Sequence, residues 1–285
     1  MQILITKQEL LQQVEACKRQ GKTIGLVPTM GALHQGHASL VKRAVVENDV
    51  CFVSVFVNPT QFNNKEDLAK YPRNIERDAK LLESIGAHFV FAPTPEEMYT
   101  AEEMNTTFQY DFEGLDKVME GKMRPGHFNG VVQVVSRLFY LVQPTRAYFG
   151  EKDFQQLAII HQMVERSKLK DTFGDLTIVD CPIVRQADGL ALSSRNERLT
   201  EAEKKLATNI YRILKESVES AKKGYSVQAI EKQVTDAINA IDGLEVEYYE
   251  IVDQSTLMPA KDFTHAIGCV TVYCGPVRLI DNIKY

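Results

Sequence analysis

The sequence predicts an α/β fold built on an open parallel sheet, followed by a smaller C-terminal α+β domain. Short strand-like runs at 23–27, 50–57, 88–91, 146–150 and 176–181, that at 50–57 almost unbroken in apolar and β-branched residues, alternate with stretches of helical character. Strands buried on both faces read as such runs, and strand–helix alternation is the mark of a parallel sheet. From residue 200 the texture changes: two helical stretches precede three strand-like runs with no helix between them. That order suits antiparallel strands packed on helices. The chain therefore divides into domains 1–182 and 183–285, with the joint in the segment 180–190.

Residues 7–19 carry Leu10, Leu11, Val14 and Cys17 at helical spacing, so a first helix lies against the sheet. The run 23–27 is the first buried strand, and Pro28-Thr-Met-Gly-Ala-Leu-His-Gln-Gly-His37 carries it into a helix over 38–48. Residues 50–57 are a central strand, ended by the proline and amides of Asn58-Pro-Thr-Gln-Phe62. A helix entered through 71–78 runs to Gly86, and 88–91 is the next strand. Residues 93–104 read as an acidic loop and 106–112 as a short strand outside the pattern. Loop formers and basic residues fill 121–130 ahead of an apolar helix over 131–142. The strand 146–150 runs into Gly150-Glu-Lys-Asp-Phe-Gln-Gln156 and a helix over 154–164, repeating the first junction. After the strand 176–181 and Pro182, residues 186–196 form a turn-prone connection. Thr200 with Glu203 makes a capping box for a charged helix reaching about residue 223. A second helix over 227–241 and strands at 246–252, 266–274 and 277–280 complete the chain.

At 285 residues, 44% hydrophobic and 25% charged, the composition is that of a soluble globular protein of one large or two modest domains. A net charge of −5 and the lack of a long basic run argue against a nucleic-acid partner, which needs clustered Lys and Arg. The N-terminus lacks the basic segment and long apolar core of a secretory signal, and no stretch approaches a membrane span. The expectation is a cytoplasmic protein with no membrane partner. Cys17, Cys51, Cys181, Cys269 and Cys274 are scattered and odd in number, as expected of reduced thiols. Cys269 and Cys274 lie in an apolar run and read as core rather than as a metal pair.

A strand, a glycine-bearing turn and a helix start aim backbone N–H groups and the positive end of a helix dipole at one spot, which suits a phosphate chain. His34 and His37 are three apart, so on a first helical turn both imidazoles share a face. Both could donate to negative charge building on a transferring phosphoryl group. A half-buried cap and part of a metal site are competing readings of this spacing, although no Cys or His nearby offers a third ligand at familiar spacing. Ligands of an open parallel sheet bind beyond the carboxyl ends of its strands. Gln61 is therefore a candidate to hold a small polar substrate, or else a turn-stabilising amide. Arg124 and His127 are donors near a helix start, or solvated loop charges. Lys152 sets a point charge at the second junction, and Gln156, four residues on, shares its helical face. Ser193, Ser194 and Arg195 make an anion clamp, one serine having a helix cap as its other reading. No Ser or Cys has an obvious base partner for covalent catalysis, and the Gly-Lys-Ser/Thr loop of a P-loop kinase is missing.

The segment Pro28 to His37 resembles the HxGH signature of the nucleotidylyltransferases related to class I aminoacyl-tRNA synthetases. Together with Asn58-Pro-Thr-Gln-Phe62, Phe149-Gly-Glu-Lys-Asp-Phe-Gln-Gln156 and Leu192-Ser-Ser-Arg-Asn196, in that order, it makes nearly the whole chain similar to the pantothenate synthetase (pantoate–β-alanine ligase) family. The resemblance implies a Rossmann-like doubly wound parallel sheet. It also implies a two-step ligation in pantothenate and coenzyme A biosynthesis. The pantoate carboxylate attacks the α-phosphorus of ATP carried with Mg2+, pyrophosphate leaves, and β-alanine displaces AMP from pantoyl adenylate.

By the same resemblance His37, His34, Lys152 and Arg195 are catalytic. Met30, Gly31, Ala32, Leu33, Gln35, Gly36, Gly150, Glu151, Asp153, Val184, Leu192, Ser193 and Ser194 join them in binding ATP. Gln61 and Gln156 hold pantoate, with Gln61 also near β-alanine. No protein side chain ligates the metal directly, and the protein is a homodimer. Gln35 stands where the family more often has an acidic residue. The adenylate must be kept from water, which points to closure of the loop 61–70 or of the smaller domain over the active site. The alternative is another HxGH-type adenylyl- or cytidylyltransferase, which would keep the nucleotide in its product.

Overall fold

The computed structural model describes residues 1–63, 65–166 and 176–285, so position 64 of the loop 61–70 lies outside the described residues. Two compact units emerge. One comprises Met1–Asp116, Glu120–Glu151 and Gln156–Cys181; the other comprises Lys117–Met119, Lys152–Gln155 and Pro182–Tyr285.

In chain order the elements are β1 (Gln2–Leu4), α1 (Lys7–Arg19), β2 (Ile24–Thr29), α2 (Gln35–Glu47), β3 (Val50–Val55), α3 (Lys65–Lys70), α4 (Ile75–Ser84) and β4 (Phe89–Phe91). Then come α5 (Pro95–Met98), α6 (Ala101–Asn105), α7 (Met119–Met123), α8 (His127–Val142), β5 (Arg146–Gly150), α9 (Phe154–Arg166) and β6 (Thr177–Cys181). The last are α10 (Glu201–Lys222), α11 (Val227–Asn239), β7 (Leu244–Asp253), β8 (Ala266–Cys274) and β9 (Val277–Lys284).

The larger unit holds a six-stranded parallel sheet in the order β1-β4-β3-β2-β5-β6, the doubly wound arrangement expected. From β2 the chain winds outward through β3 and β4, then returns to the far side of β2 with β5 and β6. The order reverses between β2 and β5, where such sheets bind ligands. Thr29 at the end of β2 is paired with Val55 of β3, but β2 meets β5 only at Gly25↔Arg146 and Leu26↔Ala147. Since β5 continues beside β6 to Gly150, the two central strands part beyond Leu26. Pro28 has no N–H with which to hold a neighbour there. One face of the sheet, with Val27, Val53, Val90 and Tyr148, packs on Val41 and Ala44 of α2 and Leu82 of α4. Burying each such aliphatic side chain contributes about 1.5–3 kcal/mol.

Several elements differ from the sequence expectation. Residues 106–112 are not a strand: they pair with no β-element among the described residues and are mostly exposed. Their order comes from side chains instead, the Tyr110 and Phe112 rings meeting edge-on at 4.9 Å with the Arg166 guanidinium over Tyr110. The acidic stretch 93–104 is two short helices, α5 and α6, capped by Thr94 and Thr100. Strand β1 went unforeseen because three residues are too few for a period to register. Helices α2 and α8 start earlier than their apolar runs, at Gln35 and His127.

In the smaller unit β7, β8 and β9 form an antiparallel sheet in that order. Ile210 and Leu214 of α10 and Ile230, Val234 and Ile238 of α11 share its core with Ile251, Val270 and Val272. The capping box of Thr200 and Glu203 starts α10 as read from the sequence. All five cysteines are buried and free. Among the described residues no helix is long and apolar enough to cross a membrane.

Candidate active site

The turn between β2 and α2 is built by a carboxylate from α4. Asp78, 1% exposed, accepts the N–H of Ala32 at 2.9 Å and of Leu33 at 2.8 Å, one on each oxygen. This holds Gly31 at φ 81° and Ala32 at φ 50°. The second is a left-handed conformation that costs an L-residue roughly 1–2 kcal/mol. A Cβ on Gly31 would also press on its neighbours, lying 3.0 Å from Asp78 Oδ2 and from Val55 Cγ1.

The chain then enters α2 with His34 as its N-cap. His34 Nδ1 accepts the N–H of Gly36 at 3.1 Å, and His37 Nδ1 accepts the N–H of His34 at 3.4 Å. A neutral imidazole whose Nδ1 accepts must carry its proton on Nε2. Both rings are therefore Nε2–H donors, with centroids 4.1 Å apart, at the positive end of a 13-residue helix. The cap reading holds, and it is compatible with the donor reading: one nitrogen of each ring fastens the helix, and the other carries the proton.

After β3, residues Pro59–Gln61 make a 3-10 turn capped by Asn58, which is completely buried. Asn58 Nδ2 donates to Gln61 Oε1 at 3.2 Å and to the Gly130 carbonyl at 3.0 Å. Asn58 Oδ1 accepts from the Tyr99 hydroxyl at 3.0 Å and from Thr60. Gln61, 7% exposed, points its Nε2 at Met30 Sδ, 2.9 Å away. Its main-chain carbonyl is 2.8 Å from His127 Nδ1, while Arg124 Nη1 lies 3.3 Å from His127 Nε2. Since the guanidinium can only donate, His127 accepts at Nε2 and donates from Nδ1. Arg124 and His127 thus support Gln61, a role not foreseen. Burial pushes the Tyr99 phenol well above its usual range, so it stays a protonated donor.

The second junction is looser. Lys152 Nζ is 3.8 Å from Asp153 Oδ1, and its carbonyl accepts from Asn282 Nδ2 at 3.0 Å. Gln156 is half-buried in the first turn of α9. In the smaller unit Val184 and Leu192 face each other, Leu192 N–H donating to the Val184 carbonyl at 3.0 Å. The neighbouring Arg185 grips Asp281 through both nitrogens at 2.6 and 2.8 Å and lies 3.7 Å from the centre of the Tyr211 ring. Ser193 caps the 3-10 turn Ser194–Arg198, its Oγ accepting the Arg195 N–H at 3.3 Å. Both readings of the serines, cap and clamp, remain compatible with that geometry.

Three groupings result. His34 and His37 stand together on the turn from Met30 to Leu33; Gln61 joins Met30 in the same unit; Val184, Leu192, Ser193 and Arg195 share a segment of the other. Ala32 and Leu33 have their N–H groups taken by Asp78, so any part they play toward a nucleotide is through shape. Sequence reasoning missed Asp78, Asn58 and Tyr99. A carboxylate four residues before Leu82 on the inward face of α4 was the available signal for Asp78. Among the described residues no three His, Cys, Asp or Glu side chains gather as a metal site.

A family model described as pantoate-β-alanine ligase matches residues 2–284. A pantothenate synthetase of Phocaeicola vulgatus is 58% identical over 100% of this chain and 99% of its own. The crystal structure of the pantothenate synthetase of Thermus thermophilus is similar with a TM-score of 0.90 at 44% identity, over 100% of this chain and 99% of that one. The pantoate-β-alanine ligase of Francisella tularensis, solved with β,γ-ATP and β-alanine, gives a TM-score of 0.83 at 36% identity, over 100% and 97%.

Proposed function

Because this chain belongs to the pantoate–β-alanine ligase family and condenses pantoate with β-alanine using ATP, we propose that its histidine turn handles the nucleotide and Gln61 the acid. The observation that carries this reading is the pair of Nε2–H imidazoles fixed at the start of α2, beside the reversal point of the sheet. Charge builds on the α-phosphoryl oxygens as the pantoate carboxylate attacks and pyrophosphate departs. Two preorganised neutral donors are suited to that charge. The carboxylate is already a nucleophile, so alignment and charge neutralisation suffice and no strong base is needed. The amine of β-alanine then attacks the acyl carbon of pantoyl adenylate and AMP leaves.

In this reading Lys152, Ser193, Ser194 and Arg195 follow the leaving pyrophosphate. Met30, Gly31, Gln35, Gly36, Gly150, Glu151, Asp153, Val184 and Leu192 line the nucleotide site, with Ala32 and Leu33 shaping it. Gln61 and Gln156 hold pantoate, with Gln61 near β-alanine. Mg2+ enters with ATP as part of the substrate, carried by phosphate oxygens and water, which is how this ion is usually presented to phosphoryl-transfer sites. Bound there, it neutralises phosphate charge. The protein works in the cytoplasm as a homodimer, and residues 183–285 close over the site to keep the adenylate from water.

The full-length likeness to the ligases does not favour a nucleotidylyltransferase that keeps the nucleotide in its product. The deciding experiment is pyrophosphate release from ATP and pantoate with no amine present. A burst matching the enzyme concentration, followed by AMP only when β-alanine is added, is expected. Pyrophosphate release that awaits β-alanine would refute the two-step reading.

A further inference from the structure

We propose that the Tyr99 hydroxyl, acting through Asn58, is a positioning group that keeps the NH2 of Gln61 turned toward the substrate. At that point the pocket takes an acceptor oxygen of the acid. The proposal rests on reading Gln61 as a pantoate-binding residue.

Main-chain groups identify which atom of the Asn58 amide is which. The Gly130 carbonyl can only accept, so the Asn58 atom 3.0 Å from it is the NH2. The Thr60 N–H can only donate, so the Asn58 atom it approaches at 3.4 Å is the carbonyl. That oxygen also takes the hydroxyls of Thr60 at 3.1 Å and Tyr99 at 3.0 Å. The remaining hydrogen of Asn58 Nδ2 then meets Gln61 at 3.2 Å, which obliges that atom of Gln61 to be Oε1. Nε2 is left on the other side, opposite Met30 Sδ, a weak acceptor. A carboxylate or hydroxyl oxygen would replace a poor partner with a good one. A donor placed there would confront N–H groups and leave them unpaired in a buried site, the situation that gives hydrogen-bonding pockets their selectivity. Tyr99 is itself held firmly, being 2% exposed with the Arg137 guanidinium 5.2 Å over its ring.

The test is a double-mutant cycle on the full-length enzyme with Tyr99→Phe, Gln61→Ala and their combination, following the KM for pantoate and for ATP. Tyr99→Phe should raise the pantoate KM about three- to tenfold, the range for a single buried hydrogen bond, and leave the ATP KM within about twofold. In the Gln61→Ala background it should have no further effect. Thr60→Val, which removes the other hydroxyl from the same Asn58 oxygen, should shift the pantoate KM in the same direction and serves if Tyr99→Phe is poorly folded. An unchanged pantoate KM in both hydroxyl deletions, or an equal rise with and without Gln61, overturns the proposal. If Gln61→Ala itself leaves the pantoate KM untouched, the reading of Gln61 fails and takes the proposal with it.

Discussion

Replacing Asp78 by Asn keeps the size of the side chain but exchanges one acceptor oxygen for a donor. In the structure each oxygen takes one main-chain N–H, from Ala32 and from Leu33, and Asp78 is 1% exposed. One of those N–H groups would face an amide NH2, and the other would lose its charged partner. A hydrogen bond to a charged group contributes roughly 1.5–3 kcal/mol, and a buried unpaired donor costs about 1–3 kcal/mol. Allowing for partial relaxation, the turn should open more easily by about 2–4 kcal/mol, or about 30- to 1,000-fold. Amide exchange followed on a peptide spanning 30–37 reads this directly. The pyrophosphate burst should slow in parallel. Coulomb's law alone makes the opposite prediction, because removing a negative charge near a triphosphate favours its binding. Unchanged exchange at Ala32 and Leu33, or faster adenylate formation in Asp78→Asn, would refute the positioning role.

Other substitutions probe the same machinery. On the proposed role of His37, in which its donor answers charge developing in the transition state, His37→Ala should slow the pyrophosphate burst about 100-fold or more while weakening ATP binding less than about tenfold; equal losses contradict this. Gly130→Ala should destabilise the larger unit by about 1–3 kcal/mol through overpacking and raise the pantoate KM. The new Cβ would sit 2.5 Å from Gln61 N and Thr60 O, whereas helix propensity alone predicts a gain; urea unfolding with pantoate titration decides. The Thr100 main-chain N–H, then Arg137, holds the Glu103 carboxyl below its ordinary value of 4.5. A folded-state pKa below the unfolded one stabilises above about pH 4.5 and is lost as pH falls through the folded value, so Glu103→Gln should lose less stability on acidification than the parent. A urea midpoint that falls in parallel for both proteins would count against it.

Most of the larger unit was legible because its signals are local. The run 50–57 is apolar enough to be a strand buried on both faces, and β3 occupies Val50–Val55. The histidine junction carries its strand, turn and helix start within a few residues. What escaped was long-range. Asp78 reaches back 46 residues to Ala32, and Tyr99 back 41 residues to Asn58, distances over which no periodicity operates. A propensity reading also overvalued Tyr110 and Phe112 as strand formers, because their partners are each other and Arg166 rather than a neighbouring strand. Thr94 and Thr100 were readable as caps, each followed three residues later by Glu, and the acidity of the stretch masked them.

The separation of β2 from β5 bears on how the nucleotide site proposed above would admit a guest. Both strands run three residues past their last shared rung, each still braced by its outer neighbour, so the gap is a fixed feature of the weave. Nothing in the ladder must be unzipped for entry, and the entropy of shaping that wall is spent during folding rather than at each turnover.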